Sequence, residues 1–99
     1  MTLTIEEAFG LTLQELRKAR RISQEALGFE SGYHRTYISQ LERGHKSPSL
    51  KTIFQLAAAL KVSPAEIVLS VERAFISSGQ DPGQLSEQTN EDNPDRASD

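Results

Sequence analysis

Apolar positions in the first 76 residues recur at intervals of three and four, the period of one helix face. Ile5, Phe9, Leu13 and Leu16 form such a stripe. Two capping-box patterns, Thr4 with Glu7 and Thr12 with Glu15, compete for the start of this first helix, and Gly10 weakens its early turns. A second helix opens with Ser23 as N-cap and runs through Gln24–Glu30, with Leu27 inward and Gly32 as its stop. A third lies between two glycines, over His34–Arg43. A fourth, Leu50–Leu60, follows the N-cap Ser49, and its Ile53, Phe54, Leu56, Ala57 and Leu60 make an apolar face wide enough to lie in a core. The fifth begins at Ser63-Pro64-Ala65-Glu66, with a capping Ser, Pro at the first helical position and Glu at the third. It carries Ile67, Val71, Ala74 and Phe75 on one side and runs to about Ile76. No stretch alternates with period two, so no strands are expected.

The pattern stops at Ser77. Residues 77–99 hold one large apolar residue, Leu85, too little burial to offset chain entropy. The expectation is an all-α, compact five-helix domain over 1–76 and a disordered acidic tail over 77–99. A solvating or linker role for the tail stands beside a partner-binding one.

The third helix has an unusual polar side. With Arg35 at 0° and about 100° per residue, Ser39 falls near ~40°, Arg43 near ~80°, Thr36 near ~100° and Gln40 near ~140°. Ile38, His34 and Leu41 fall on the opposite side, Tyr37 on one border and Glu42 on the other. Arg pairs in bidentate fashion with guanine, Gln with adenine, and Ser or Thr with several groups. The short helix before it and the turn between them give the layout of a helix-turn-helix, whose second helix enters the major groove. An ordinary surface helix has a polar outer face too, so the wheel alone leaves both readings open.

Charge sharpens the choice. Residues 1–76 carry ten Lys/Arg against eight Glu, a net of +2, and residues 77–99 carry six acids against Arg96, a net of −5. Between Arg17 and Lys51 the balance is +5. The overall −3 therefore does not exclude a nucleic-acid partner. Arg43 and Lys46 lie where a loop touching the DNA backbone would sit, and the start of the second helix, with Gln24, offers amides to a phosphate.

Other classes find little support. There is no cysteine, and His34 and His45 have no clustered acidic partners, so no metal site and no cofactor are expected. No nucleophile–base pair, carboxylate pair or phosphate-cradling loop points to an enzyme. No apolar run approaches the ~18 residues of a membrane span, and MTLTIEEAFG lacks the features of a signal peptide, so a cytoplasmic location is expected.

The segments "LRKARR", "SQEAL", "SGYHRTYISQLERG", "SPSLKTIFQLAAALKV" and "SPAEI" together resemble the XRE family of Cro- and C1-type helix-turn-helix regulators. The lambda and 434 repressors show its docking geometry. "HRTYISQLERG" is especially similar to bacterial regulators and restriction–modification controller proteins. The resemblance implies that Arg35, Thr36, Ser39 and Gln40 face base edges and that Gln24, Tyr37, Arg43 and Lys46 touch the DNA backbone. It also implies an ion pair between Arg17 and Glu42. Gly28 departs from the family's usual Ala and either loosens the second helix or admits closer packing. Phe29 replaces a common polar residue, either exposed or packed on Phe9 or Tyr33.

The function expected is sequence-specific binding of double-stranded DNA, as a dimeric repressor on an inverted repeat, with no small-molecule ligand. Val68, Leu69, Val71, Glu72 and Phe75 are candidate dimerisation residues; alternatively, the apolar ones complete the monomer core. An antitoxin or other protein-binding module, whose tail orders on a partner, is the rival reading.

Overall fold

The computed structural model describes residues 2–79. Among these it has five helices and no strand: α1 (Ile5–Ala19), α2 (Gln24–Ser31), α3 (Arg35–Glu42), α4 (Leu50–Leu60) and α5 (Pro64–Ser77).

Side-chain caps set the helix starts. Thr4 Oγ1 accepts from the Glu7 N–H at 3.0 Å while Glu7 Oε1 accepts from the Thr4 N–H at 2.9 Å, so the first of the two competing patterns begins α1. Thr12 is buried in mid-helix instead. Ser23, Ser49 and Ser63 cap α2, α4 and α5. Each such cap contributes about 1 kcal/mol. Gly32, in the left-handed conformation, ends α2.

One fully buried side chain or more from every helix meets in the core: Leu13, Leu27, Ile38, Leu41, Leu56 and Ile67. α1 packs on α5 and α3, α2 on α3 and α4, and α4 on α5. Two glycines bring the elements around α3 close together. A Cβ on Gly10 would lie 2.5 Å from the Glu42 carbonyl oxygen, so only glycine lets α1 approach the end of α3 this closely. A Cβ on Gly28 would lie 2.7 Å from the Tyr33 carbonyl oxygen, so Gly28 admits the turn that joins α2 to α3.

Several expectations change. Phe54 is exposed, so the buried face of α4 is narrower than its apolar pattern and consists of Leu56, Ala57, Ala59 and Leu60 with Thr52. Val71 and Phe75 are only 8% and 3% exposed and belong to the monomer core, which removes them from the candidate dimer surface. α5 runs past Ile76 through Ser77, and Ser78 Oγ accepts from the Leu3 N–H at 3.0 Å. Ser77–Gly79 are therefore ordered, and the rest of the expected tail, 80–99, lies outside the described residues. No single helix among the described residues is long and apolar enough to cross a membrane.

Candidate nucleic-acid interface

α2 and α3 form the helix-turn-helix unit, with Gly32, Tyr33 and His34 between them. His34 Nδ1 accepts from the Thr36 N–H at 3.3 Å and so caps α3. Ile38 and Leu41 anchor the inner side of α3 in the core. Glu42 is buried beside them, its side chain only 2% exposed.

Three donors hold that carboxylate. Arg17 Nε reaches Glu42 Oε2 at 2.6 Å, Arg17 Nη2 reaches Oε1 at 3.1 Å, and Gln24 Nε2 reaches Oε1 at 3.0 Å. Arg17 also donates to the Ile22 carbonyl at 2.9 Å. The planar guanidinium suits this two-pronged grip on a carboxylate. The cluster ties α1, the start of α2 and the end of α3 together. Gln24, expected at a phosphate, has one amide N–H committed to Glu42, and an amide nitrogen has a second to give.

The outer side of α3 is open. Arg35 and Thr36 are exposed, and Ser39 and Gln40 are half-buried. Gln24, Arg35, Thr36, Ser39 and Arg43 together line a hollow of ≈ 270 Å³ between the start of α2 and α3. Arg43 Nε donates back to the Ser39 carbonyl at 3.4 Å. Gln40 is on the same helix but not in the hollow's lining, and Lys46 lies exposed in the loop after α3. Thus five of the eight expected contact residues come together in one place. Tyr37 packs its ring against Tyr33, with centroids 5.1 Å apart and planes at 46°.

Sequence reasoning missed Tyr33 as a positioning group. Its hydroxyl lies 2.9 Å from Thr52 Oγ1 and donates to Gln55 Oε1 at 2.5 Å, which pins the helix-turn-helix turn to α4. A tyrosine after a stop glycine signals no such bond, because its partners are 19 and 22 residues away. Arg20, at the end of α1, pairs with Glu30 at 2.9 Å and donates to the Ala59 carbonyl, joining α1 to α2 and α4. Phe29 is 88% exposed and packs on neither Phe9 nor Tyr33. Among the described residues no group of three or more His, Asp or Glu is placed to hold a metal ion.

The helix-turn-helix family model matches residues 13–67. Over 69 residues the chain is 41% identical to control protein C.BamHI of Bacillus amyloliquefaciens, covering 69% of this chain and 85% of that one. The restriction–modification controller protein C.AhdI from Aeromonas hydrophila superposes with a TM-score of 0.62 at 45% identity, covering 63% of this chain and 90% of that one. The fold is also that of C.Esp1396I, solved as a tetramer on its natural 35 base-pair operator, with a TM-score of 0.68 at 22% identity over 75% of this chain and 97% of that one. The match from the middle of α1 to the start of α5, joined to this arrangement of α2 and α3, shows that the chain belongs to the helix-turn-helix family of XRE type.

Proposed function

We propose that this protein is a transcriptional regulator that binds double-stranded DNA sequence-specifically, with residues 1–76 as the binding unit and α3 in the major groove. The hollow lined by Gln24, Arg35, Thr36, Ser39 and Arg43 carries the reading. It joins base-reading residue types to the start of a helix, where free amides favour a phosphate. In this reading Arg35, Thr36, Ser39 and Gln40 face base edges. Gln24, through its second amide N–H, and Tyr37, Arg43 and Lys46 hold the backbone. The likeness to named control proteins supports a role in controlling transcription and does not favour the antitoxin alternative.

One domain of this size covers a short stretch of DNA, so a homodimer reads two half-sites with its α3 helices about 34 Å apart. The proposed dimer surface is the exposed side of α5, with Val68, Leu69 and Glu72. Leu69, Glu72 and Ile76 follow one another at spacings of three and four, and Val68 opens onto an apolar hollow of ≈ 210 Å³ shared with Ile5, Phe9, Pro48 and Ile53.

Selection of bound fragments from random duplex DNA, followed by sequencing, tests the function. Wild type is expected to enrich a two-fold symmetric site. Enrichment of no sequence at all refutes the proposal.

A further inference from the structure

The described part of the chain ends against its own beginning. Ser78 Oγ holds the Leu3 N–H, and a Cβ on Gly79 would touch the Thr2 methyl at 3.4 Å. Leu3 lines a hollow of ≈ 190 Å³ with Glu7, Leu11, Glu42 and Arg43. Arg43 also lines the hollow that contains Arg35, Thr36, Ser39 and Gln24. One arginine is thus shared by the hollow beside Leu3, whose N–H Ser78 holds, and the hollow on α3.

Residues 80–99 that follow carry Asp81, Glu87, Glu91, Asp92, Asp95 and Asp99 against Arg96. An extended chain spans about 3.3 Å per residue. α3, with its eight residues, is about 12 Å long. The sixteen residues from Gly79 to Asp95 span up to about 53 Å, more than the 35 Å longest extent of the domain, so acids toward the end of the segment reach Arg43, Arg35 and Lys46 with the chain short of full extension. Two carboxylates line the hollow beside Leu3. Glu42 is saturated by Arg17 and Gln24, and Glu7 accepts from the Thr4 N–H. Glu7 repels an acidic chain at the exit, which favours placing its charge further on, at the cations of α3 and its following loop.

We infer that the acidic segment 80–99 settles on the outer face of α3 when DNA is absent, its carboxylates standing in for phosphates at Arg35, Arg43 and Lys46. This rests on the DNA-binding reading of that face. Carboxylates and phosphates use the same fork of guanidinium donors, so segment and DNA exclude each other. Tethering gives the segment an effective concentration in the millimolar range, so even weak contacts lower DNA affinity by about two- to tenfold. The competition is between charges and fades as salt screens them.

The test uses the full chain and a variant carrying Asp81→Asn, Glu87→Gln, Glu91→Gln, Asp92→Asn, Asp95→Asn and Asp99→Asn. Without DNA, amide and Arg Nε–H resonances of Arg35, Thr36, Ser39 and Arg43 are expected to differ between the two, with α4 and α5 unchanged and no dependence on protein concentration. With non-specific duplex DNA at low salt, the variant is expected to bind about two- to tenfold tighter, the gain vanishing at high salt. Identical α3 resonances overturn the proposal. So do shifts confined to another face, which point to a different site, and shifts that disappear on dilution, which assign the contact to a neighbouring copy. A chain that binds no DNA yet shows the α3 shifts refutes the DNA-binding reading while keeping the contact.

Discussion

Gly10 lies against the backbone at the end of α3, where an added Cβ would come within 2.5 Å of the Glu42 carbonyl oxygen and 2.6 Å of the Leu41 carbonyl oxygen. Neither carbonyl can yield without moving the helix. Gly10→Ala is therefore expected to destabilise the domain by about 1–3 kcal/mol through overpacking, despite the ~1 kcal/mol that alanine contributes in helix propensity. Urea denaturation measures this as a lower midpoint with an unchanged slope. A higher midpoint contradicts the steric account.

The Glu42 carboxylate is held by Arg17 and Gln24 with little access to water. Removing it strands the Arg17 guanidinium, whose side chain is only 11% exposed. Glu42→Leu is expected to lose about 3–5 kcal/mol, and the added substitution Arg17→Met to recover part of that loss. A double-mutant cycle by chemical denaturation reads the coupling directly. Strictly additive losses would show that the pair is not coupled.

Arg35 and Lys46 are expected to respond differently to truncation. Arg35→Ala should weaken operator binding by about 1–3 kcal/mol and relax preference at one base position. Lys46→Ala should weaken binding to all sequences alike and reduce the salt slope by about 1. Titration of specific and unrelated duplexes at several salt concentrations separates the two. Equal effects of Arg35→Ala on both duplexes remove Arg35 from base reading.

The exposed side of α5 is expected to carry self-association. Leu69→Asp should shift sedimentation toward monomer while leaving the thermal midpoint of the monomer nearly unchanged, since Leu69 is 44% exposed. Phe75→Ala is the contrasting case. Phe75 lies in the core, and its truncation is expected to cost about 3–5 kcal/mol in stability whatever the oligomeric state. Leu69→Asp protein that sediments as wild type does places the dimer surface elsewhere.

The helix starts were legible because capping is local. Ser23, Ser49 and Ser63 bond to amides three residues away, and sequence spacing records that. The choice between Thr4 and Thr12 was not legible, since both patterns satisfy the same local rule. What decides it is that Thr12 falls within the packed stretch of α1. The outer face of α3 followed from the wheel, because a helix of eight residues turns its side chains predictably. Tyr33, Arg20 and Gly10 owe their roles to partners 10 to 39 residues distant. No local pattern encodes those separations. Val71 and Phe75 share the apolar chemistry of a dimer surface and of a core, and only the position of α1 against α5 distinguishes the two.

The bond from Tyr33 to α4 joins two other restraints on the reading unit, Gly10 against the end of α3 and Gln24 across from α2. The α3 backbone is thereby fixed before any encounter with a duplex. Association then has little main-chain entropy left to lose in this helix, and the ordering that remains falls on the side chains of its outer face. Differences among duplex sequences should accordingly appear in how long a complex lasts, with the rate of its formation left nearly uniform.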